Sequence, residues 1–367
     1  MRVLLWSELY RPYIGGAEIF AAQLAGALRP RGVEFLVVTS HHDRDLPDRD
    51  VEEGMTVRRL TFRAAIGGRD VKRFAGITRE VAAIKRDFAP DLIHVNAVGP
   101  SLMFHLRTTE ACRAPVLVTL QQEVLASQRA GSGTLLAHTV ESADWVVGCS
   151  EAVLDQVRGA HPSVLGRSSR IYNGFEPPPV APTPLPERAH VVCLGRLVPA
   201  KGFDIALRAF ARVAARRPAA RFTIAGDGAA RDDLRALAAE LGLAERVAFP
   251  GWIEPNDVPR LLNQASIVVM PSRREGMPVV GVQAALMARP IVATPVGGLP
   301  EIVRDGESGI LVAVEDAGAL TEAILGLLDD RTAATAMGAR GRRHALRDLD
   351  WGQTVSNYHE LYRALAD

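Results

Sequence analysis

Residues Ala265 to Val303 constrain the fold more than any other stretch of the chain. Ile267 to Met270 is a short β-branched apolar run without alternation, the pattern of a strand buried on both faces. Pro271 and Ser272 end it, and Arg273 to Gly276 make a charged turn. A helix opens near Pro278, carries Val282, Ala285 and Leu286 on one face, and stops at Arg289 and Pro290. A second apolar strand, Ile291 to Thr294, leads into the turn Val296-Gly297-Gly298. Pro300 and Glu301 then open another helix, proline being suited to a first helical turn. Two strand–loop–helix units in succession predict a parallel α/β sheet whose loops lie at the carboxyl ends of its strands, the edge where open α/β sheets bind ligands. Backbone N–H groups at helix N-termini suit phosphate, and Glu275 and Glu301 at two helix mouths suit hydroxyls. Phosphate and hydroxyls together describe a nucleotide sugar.

The remaining composition bounds this picture. At 367 residues the chain predicts two domains. A net charge of +1 gives no electrostatic case for nucleic acid. Cys112, Cys149 and Cys193 stand apart in apolar surroundings, as reduced thiols of a cytoplasmic protein do, and show no metal-ligand spacing. The apolar start Val3-Leu4-Leu5-Trp6 breaks at Ser7-Glu8, too short for a signal-peptide core. No run approaches the ~18 apolar residues that span a bilayer. The expectation is a cytoplasmic protein, at most peripheral to a membrane.

In the first half, Val3 to Ser7 reads as a strand, followed by the turn Tyr10 to Gly16 and a helix from Ala17 to Leu28. Ile19, Phe20, Leu24 and Leu28 recur at helical spacing and Gly32 is the stop. Phe35 to Thr39 is the second strand of this βαβ unit and ends in the polar loop His41 to Asp50. Gly15-Gly16 is either a tight turn or a place where backbone meets phosphate with no Cβ between them. Phe74, Ile77, Val81, Ile84 and Phe88 predict a helix over residues 69–88, whose other faces carry Arg69, Lys72, Arg73, Arg79, Lys85 and Arg86. Those basic faces are either solvated or meet anionic lipid or a phosphorylated acceptor. Leu92 to Val95 and Val116 to Leu120 are buried strands that end in polar clusters, His94-Val95-Asn96 and Thr119 to Glu123. His94 is either a satisfied structural residue or a group facing the same crevice as Gly15-Gly16. Trp145 to Gly148 and a helix from Ser150 complete this half and lead to Asn173-Gly174.

Six prolines between Glu176 and Glu187 make an extended connector and set the domain boundary. Beyond it, Val191 to Leu194 is a strand, followed by the loop Gly195 to Gly202 and a helix from Asp204 to Arg216. Phe222 to Ala225 is the next strand and ends in Gly226-Asp227-Gly228; Val247 to Phe249 follows. Arg196 and Lys201, five residues apart on a glycine-bounded loop, could reach one diphosphate, Arg as a planar fork and Lys as a compact charge. They would neutralise the charge that develops on a departing nucleoside diphosphate.

Taken in order, Gly15-Gly16-Ala17-Glu18, Asn173-Gly174-Phe175-Glu176, Gly195-Arg196-Leu197 with Lys201-Gly202, Gly226-Asp227-Gly228, Glu275-Gly276-Met277-Pro278 and Gly297-Gly298-Leu299-Pro300-Glu301 resemble the family-4 retaining glycosyltransferases of the GT-B fold. The resemblance runs almost end to end. It implies an α/β protein of two Rossmann-like, doubly wound parallel-sheet domains facing a central cleft. Residues 1–176 would form the acceptor domain and 177–350 the donor domain, with a helix over 351–367 crossing back to the first. Arg196 and Lys201 match the pair that holds the donor diphosphate, and Glu275 matches the first carboxylate of the paired-glutamate motif, which contacts the donor sugar. Gly195, Gly226, Asp227, Gly228, Gly276, Met277, Pro278, Val279 and Val280 would line the donor site, and Gly15 and Gly16 would approach the phosphate from the other domain. The implied chemistry is metal-free and needs no cofactor. The leaving phosphate helps to deprotonate the acceptor hydroxyl on the same face, so the anomeric configuration is retained.

Two positions depart from the pattern. The second glutamate of the motif, a ribose ligand in the family, is Gln283, and a histidine common near the donor sugar is Gln121. An imidazole role would then need His94 to reach in from the neighbouring strand. Arg289 also stands where glycine is usual before Pro290. The activity expected is transfer of a sugar from a UDP- or GDP-sugar to a hydroxyl of a sugar, a lipid-linked sugar or a small molecule. The alternatives are a weakened GT-B protein that binds nucleotide sugar or supports a partner enzyme, and a nucleotide-sugar epimerase.

Overall fold

The computed structural model describes residues 1–12, 15–41, 45–68, 70–96, 98–123 and 133–367. Two compact units divide the chain: residues 1–172 with 353–367, and residues 173–352.

The first unit is built on an eight-stranded sheet of β1 (Arg2–Ser7), β2 (Glu34–Ser40), β3 (Arg49–Glu52), β4 (Met55–Leu60), β5 (Leu92–Asn96), β6 (Val116–Leu120), β7 (Trp145–Gly148) and β8 (Ser168–Arg170). Their spatial order is β3-β4-β2-β1-β5-β6-β7-β8. β5 and β6 are buried along their whole length, as continuous apolar runs require in a sheet covered on both faces. The winding reverses between β1 and β5, where Ser7 lies in register with Asn96. All pairs are parallel except β3 with β4. β3 occupies the end of what the sequence presents as a polar loop, and its own residues have no apolar alternation. It is held by Arg59, a buried guanidinium in β4 that takes ion pairs from Asp50 at 3.2 Å and from Glu52 and donates to the carbonyls of Pro47 and Arg11.

The helix Val71–Phe88 starts at Asp70, whose carboxylate accepts from the N–H of Arg73 at 3.0 Å. Lys72, Arg73, Arg79 and Arg86 are exposed on it, whereas Arg69 lies outside the described residues. Lys85 departs from the sequence expectation. It is fully buried and donates to the carbonyls of His105 at 3.1 Å and Thr108 at 3.2 Å, and burial lowers its pKa to about 8. It is therefore a packing residue and leaves the basic face with one cation fewer.

The C-terminal helix Trp351–Ala366 joins the first unit from residue 353 onward. Its buried Tyr362 hydroxyl lies 2.6 Å from His94 Nδ1; His94 Nε2 lies 2.8 Å from Thr119 Oγ1, which is 3.1 Å from the Tyr358 hydroxyl. His94 is thus 0% exposed and fully satisfied, and burial pushes its pKa down to about 3. The expectation that His94 reaches a substrate is corrected: the two tyrosines seal it inside the unit.

The second unit carries six parallel strands, β9 (His190–Leu194), β10 (Arg221–Ala225), β11 (Val247–Gly251), β12 (Ile267–Met270), β13 (Ile291–Ala293) and β14 (Gly309–Leu311), in the order β11-β10-β9-β12-β13-β14. This is the doubly wound order with one reversal, between β9 and β12, the place where such sheets open a crevice at their carboxyl edge. The helix Phe203–Arg216 buries Ile205, Ala209, Phe210 and Val213 against the strands. The proline connector packs on this unit as well. Arg289, almost wholly buried, donates to the carbonyls of Met287 at 2.8 Å and Ala265 at 3.1 Å and to that of Thr183 in the connector. Burial lowers its pKa to about 10, and the carbonyl cage explains an arginine where glycine is usual.

His94 and His105 are both driven to about pKa 3 by burial, while in the unfolded chain each protonates near about 6.5. Their neutral forms favour folding above that unfolded value, so this stability is lost as pH falls from about 6.5 toward 3, by up to about 1.4 kcal/mol per pH unit for each histidine. Urea melts across this range should show the loss, and His94→Phe and His105→Phe should each flatten the slope by one histidine's share.

Candidate functional site

The reversal in the second sheet puts the loops after β9 and β12 side by side. Pro199–Lys201 form a single 3-10 turn that ends at Gly202, in the left-handed region with φ 65°. A Cβ on Gly202 would fall inside the Pro271 carbonyl oxygen, so only glycine lets the two backbones approach so closely. The contact is reinforced by Arg273, whose N–H donates to the Ala200 carbonyl at 2.8 Å. Its guanidinium donates to the Pro199 carbonyl at 2.5 Å and pairs with Asp204 at 2.8 Å and with Glu315. On the far side Gly297, with φ 51°, leaves room for the Glu275 carbonyl, and the Gly298 N–H donates to the Gly276 carbonyl at 2.6 Å. The loop 271–276 is therefore clamped between two glycines.

Glu275 sits in that clamp with its side chain 6% exposed. A carboxylate so far from water needs compensation. Lys201 Nζ supplies it, at 2.6 Å from Oε1 and 2.8 Å from Oε2, and the Ser272 hydroxyl donates to Oε1 at 2.7 Å. Thr294 at the end of β13 fixes Ser272 in turn, its hydroxyl donating to the Ser272 carbonyl at 2.5 Å. Arg196, on the same loop as Lys201, is exposed, and its guanidinium has no hydrogen-bond or carboxylate partner among the described residues. Gly195, Gly226 and Gly228 close the neighbouring backbone turns, where the Asp227 carbonyl accepts from the Leu197 N–H at 2.8 Å and the Asp227 carboxylate from the Gly228 N–H at 2.8 Å. Gly276 and the buried Met277 lead to Pro278, the residue before the helix Val279–Leu286. Val279 and Val280 open that helix, with N–H groups that have no intrahelical carbonyl to bond. Gln283, on the same helix, is 8% exposed, and its amide has no hydrogen-bond partner among the described residues. One carboxylate, two cations and a helix N-terminus thus share the carboxyl edge of this sheet.

The other candidate residues belong to the first unit. Gly15 is the N-cap of the helix Gly16–Leu28, and residues 13 and 14 lie outside the described set. Gln121, just beyond β6, donates through Nε2 to Asn96 Oδ1 at 3.0 Å. Residues 42–44, after β2, and 124–132, after β6, also lie outside the described residues. Among those described, no three His, Cys, Asp or Glu side chains gather as a metal site, and no helix is long and apolar enough to cross a membrane. Sequence reasoning missed Ser272, Arg273 and Thr294 as supports of Glu275. The three-residue spacing from Ser272 to Glu275, within one turn after a strand, was the available signal.

The chain is similar to glycosyltransferases along most of its length. A model described as Glycosyltransferase Family 4 matches residues 14–177, and one described as Glycosyl transferases group 1 matches residues 188–330. A GDP-mannose-dependent alpha-(1-6)-phosphatidylinositol monomannoside mannosyltransferase of Mycolicibacterium smegmatis is 38% identical over 184 residues, 48% of each chain, so the match spans about half of that relative. A glycogen synthase of Mycobacterium tuberculosis is 27% identical over 402 aligned residues, covering 99% of this chain and 95% of the relative. Among solved structures, sucrose-phosphate synthase from Thermosynechococcus elongatus shares the fold with a TM-score of 0.85 at 23% identity, covering 99% of this chain and 98% of that one. Anabaena HepE, solved with UDP-glucose, gives 0.82 at 22% identity, with 99% and 100% covered.

Gly202→Ala and Gly297→Ala should each cost about 1–3 kcal/mol in urea melts, because both force strain or displacement onto a neighbouring carbonyl. Gly326→Ala is the control: a Cβ there meets open space within the helix Ala317–Asp329, so it should stabilise by about 0.5–1 kcal/mol.

Proposed function

Because the chain belongs to the family-4 glycosyltransferases of the GT-B fold, we propose that it moves a sugar from a UDP- or GDP-sugar to an acceptor hydroxyl, with retention of anomeric configuration and without a metal. The observation that carries this reading is the Lys201–Glu275–Ser272 cluster at the reversal point of the second sheet. An incoming diphosphate competes with Glu275 for Lys201 and recruits Arg196. As Lys201 turns to the phosphates, Glu275 keeps the Ser272 hydroxyl and offers its freed oxygen to hydroxyls of the donor sugar. The N–H groups of Val279 and Val280 add neutral donors at a helix N-terminus. The bond from the anomeric carbon to the diphosphate then breaks and the acceptor oxygen bonds on the same face. The hydroxyl proton passes to the departing phosphate oxygen. Lys201 and Arg196 stabilise the charge that builds there, the role a metal would otherwise fill. Gln283 presents a neutral amide toward ribose hydroxyls.

The acceptor is a sugar, a lipid-linked sugar or a small molecule. The GDP-mannose-dependent mannosyltransferase relative and the UDP-glucose complex support both nucleotides as donors to screen first. The four exposed cations of the helix Val71–Phe88 support peripheral contact with an anionic membrane face from the cytoplasmic side. Retention of Arg196, Lys201 and Glu275 speaks against a weakened relative that only binds donor.

UDP-glucose or GDP-mannose should raise the melting temperature, and Lys201→Ala should abolish the shift; indifference to every nucleotide sugar would contradict the assignment. Gln283→Glu should tighten donor binding about tenfold in calorimetry by replacing a neutral hydrogen bond with a charge-assisted one. Unchanged or weaker binding would place the ribose elsewhere.

A further inference from the structure

Asn96 ends β5 at the reversal point of the first sheet and is 0% exposed. Its Nδ2 lies 3.0 Å from the Ala17 carbonyl, in the first turn of the helix that follows Gly15-Gly16. Its Oδ1 lies 3.0 Å from Gln121 Nε2. The chemistry of these partners leaves no freedom in the two amides. A backbone carbonyl can only accept, so Asn96 must turn its NH2 toward Ala17. Its oxygen then faces Gln121, and an oxygen can be met only by a donor, so Gln121 must present its NH2 in return. Gln121 Oε1 is thereby fixed on the opposite side, as a hydrogen-bond acceptor. One carbonyl in a helix thus sets the polarity of a side chain two strands away in the sheet order.

We propose that Asn96 is a positioning residue that locks Gln121 as a hydrogen-bond acceptor for a substrate sugar hydroxyl at the carboxyl edge of the first sheet. The proposal rests on the glycosyl-transfer reading above. It assigns the Gln121 position a fixed polarity, where an unanchored glutamine could offer either end of its amide. It also makes Asn96 a bracket between the Gly15-Gly16 turn and the loop after β6. Substitutions at position 121 should therefore divide by whether they can donate to Asn96. A histidine ring N–H can do so and leave its other nitrogen as an acceptor, whereas a carboxylate cannot donate.

The test compares hydrolysis and transfer of UDP-glucose and GDP-mannose by the full chain and its variants. Asn96→Leu and Gln121→Glu should each lower kcat about tenfold, the scale of one neutral hydrogen bond, with KM for the donor changed by less than about threefold. The double variant should be no worse than either single one, because both break the same link. Gln121→His should retain more activity than Gln121→Glu, because its ring N–H can still donate to Asn96. Gln121→Glu changes a half-buried loop residue and keeps the test open if Asn96→Leu unfolds. Independent of turnover, the side-chain NH2 resonances of Gln121, identified by their loss in Gln121→Glu, should move in Asn96→Leu. In the unaltered protein alone they should move again when either nucleotide sugar is added. Additive kinetic losses, an effect confined to melting temperature, or Gln121 resonances indifferent to Asn96 would overturn the proposal. Absence of turnover with these resonance shifts intact would instead count against the transferase reading.

Discussion

A carboxylate withdrawn from water and held by an ammonium is the interaction on which the candidate site depends. Glu275 is 6% exposed, and Lys201 contacts both of its oxygens. Breaking a buried pair by removing one partner typically costs about 3–5 kcal/mol, because the remaining charge is stranded. The pair therefore persists until another anion takes the ammonium, and a diphosphate is an anion suited to do so. In the proposed exchange the Ser272 hydroxyl would stay with the carboxylate, to which it donates at 2.7 Å. The pair exists only because the loops after β9, β12 and β13 touch backbone to backbone, which Gly202 and Gly297 permit and Arg273 fastens.

Both sheets reverse their winding once, and each reversal carries polar side chains at strand ends. What those side chains can do is decided by burial and partners. His94 lies in the middle of β5, and Lys201 lies in the loop that follows β9. The histidine lies between Thr119 and a tyrosine, neutral and occupied, with no proton to exchange in the working pH range. The lysine keeps an exposed edge and an exchangeable partner. Asn96, one strand position beyond Val95, is just as buried as His94 but passes its orientation outward to Gln121.

Much of this was legible in the sequence because strands buried on both faces announce themselves as continuous apolar runs. Val116–Leu120, Trp145–Gly148 and Ile267–Met270 begin and end where the residue pattern places them. Glycine turns after strands marked the loops at the binding edge. Less legible were elements whose stability comes from remote partners. Arg49–Glu52 forms a strand to satisfy a buried Arg59, and nothing in its own residues says so. Gly309–Leu311 is three residues long and is a strand only because β13 lies beside it. At the site, the charged residues could be read from the chain, but the pairing of Lys201 with Glu275 spans 74 residues and needed the reversal of the sheet to appear. The same distance effect hid the burial of His94 beneath a helix 268 residues later in the chain.

The central claim is that a donor binds by exchanging partners on Lys201. A crystal structure of the protein with UDP-glucose or GDP-mannose bound tests it most directly. Lys201 Nζ should then lie within hydrogen-bond distance of a diphosphate oxygen, with Glu275 accepting from a sugar hydroxyl and still held by Ser272. A bound donor that leaves both Lys201–Glu275 contacts at their present lengths would contradict the account.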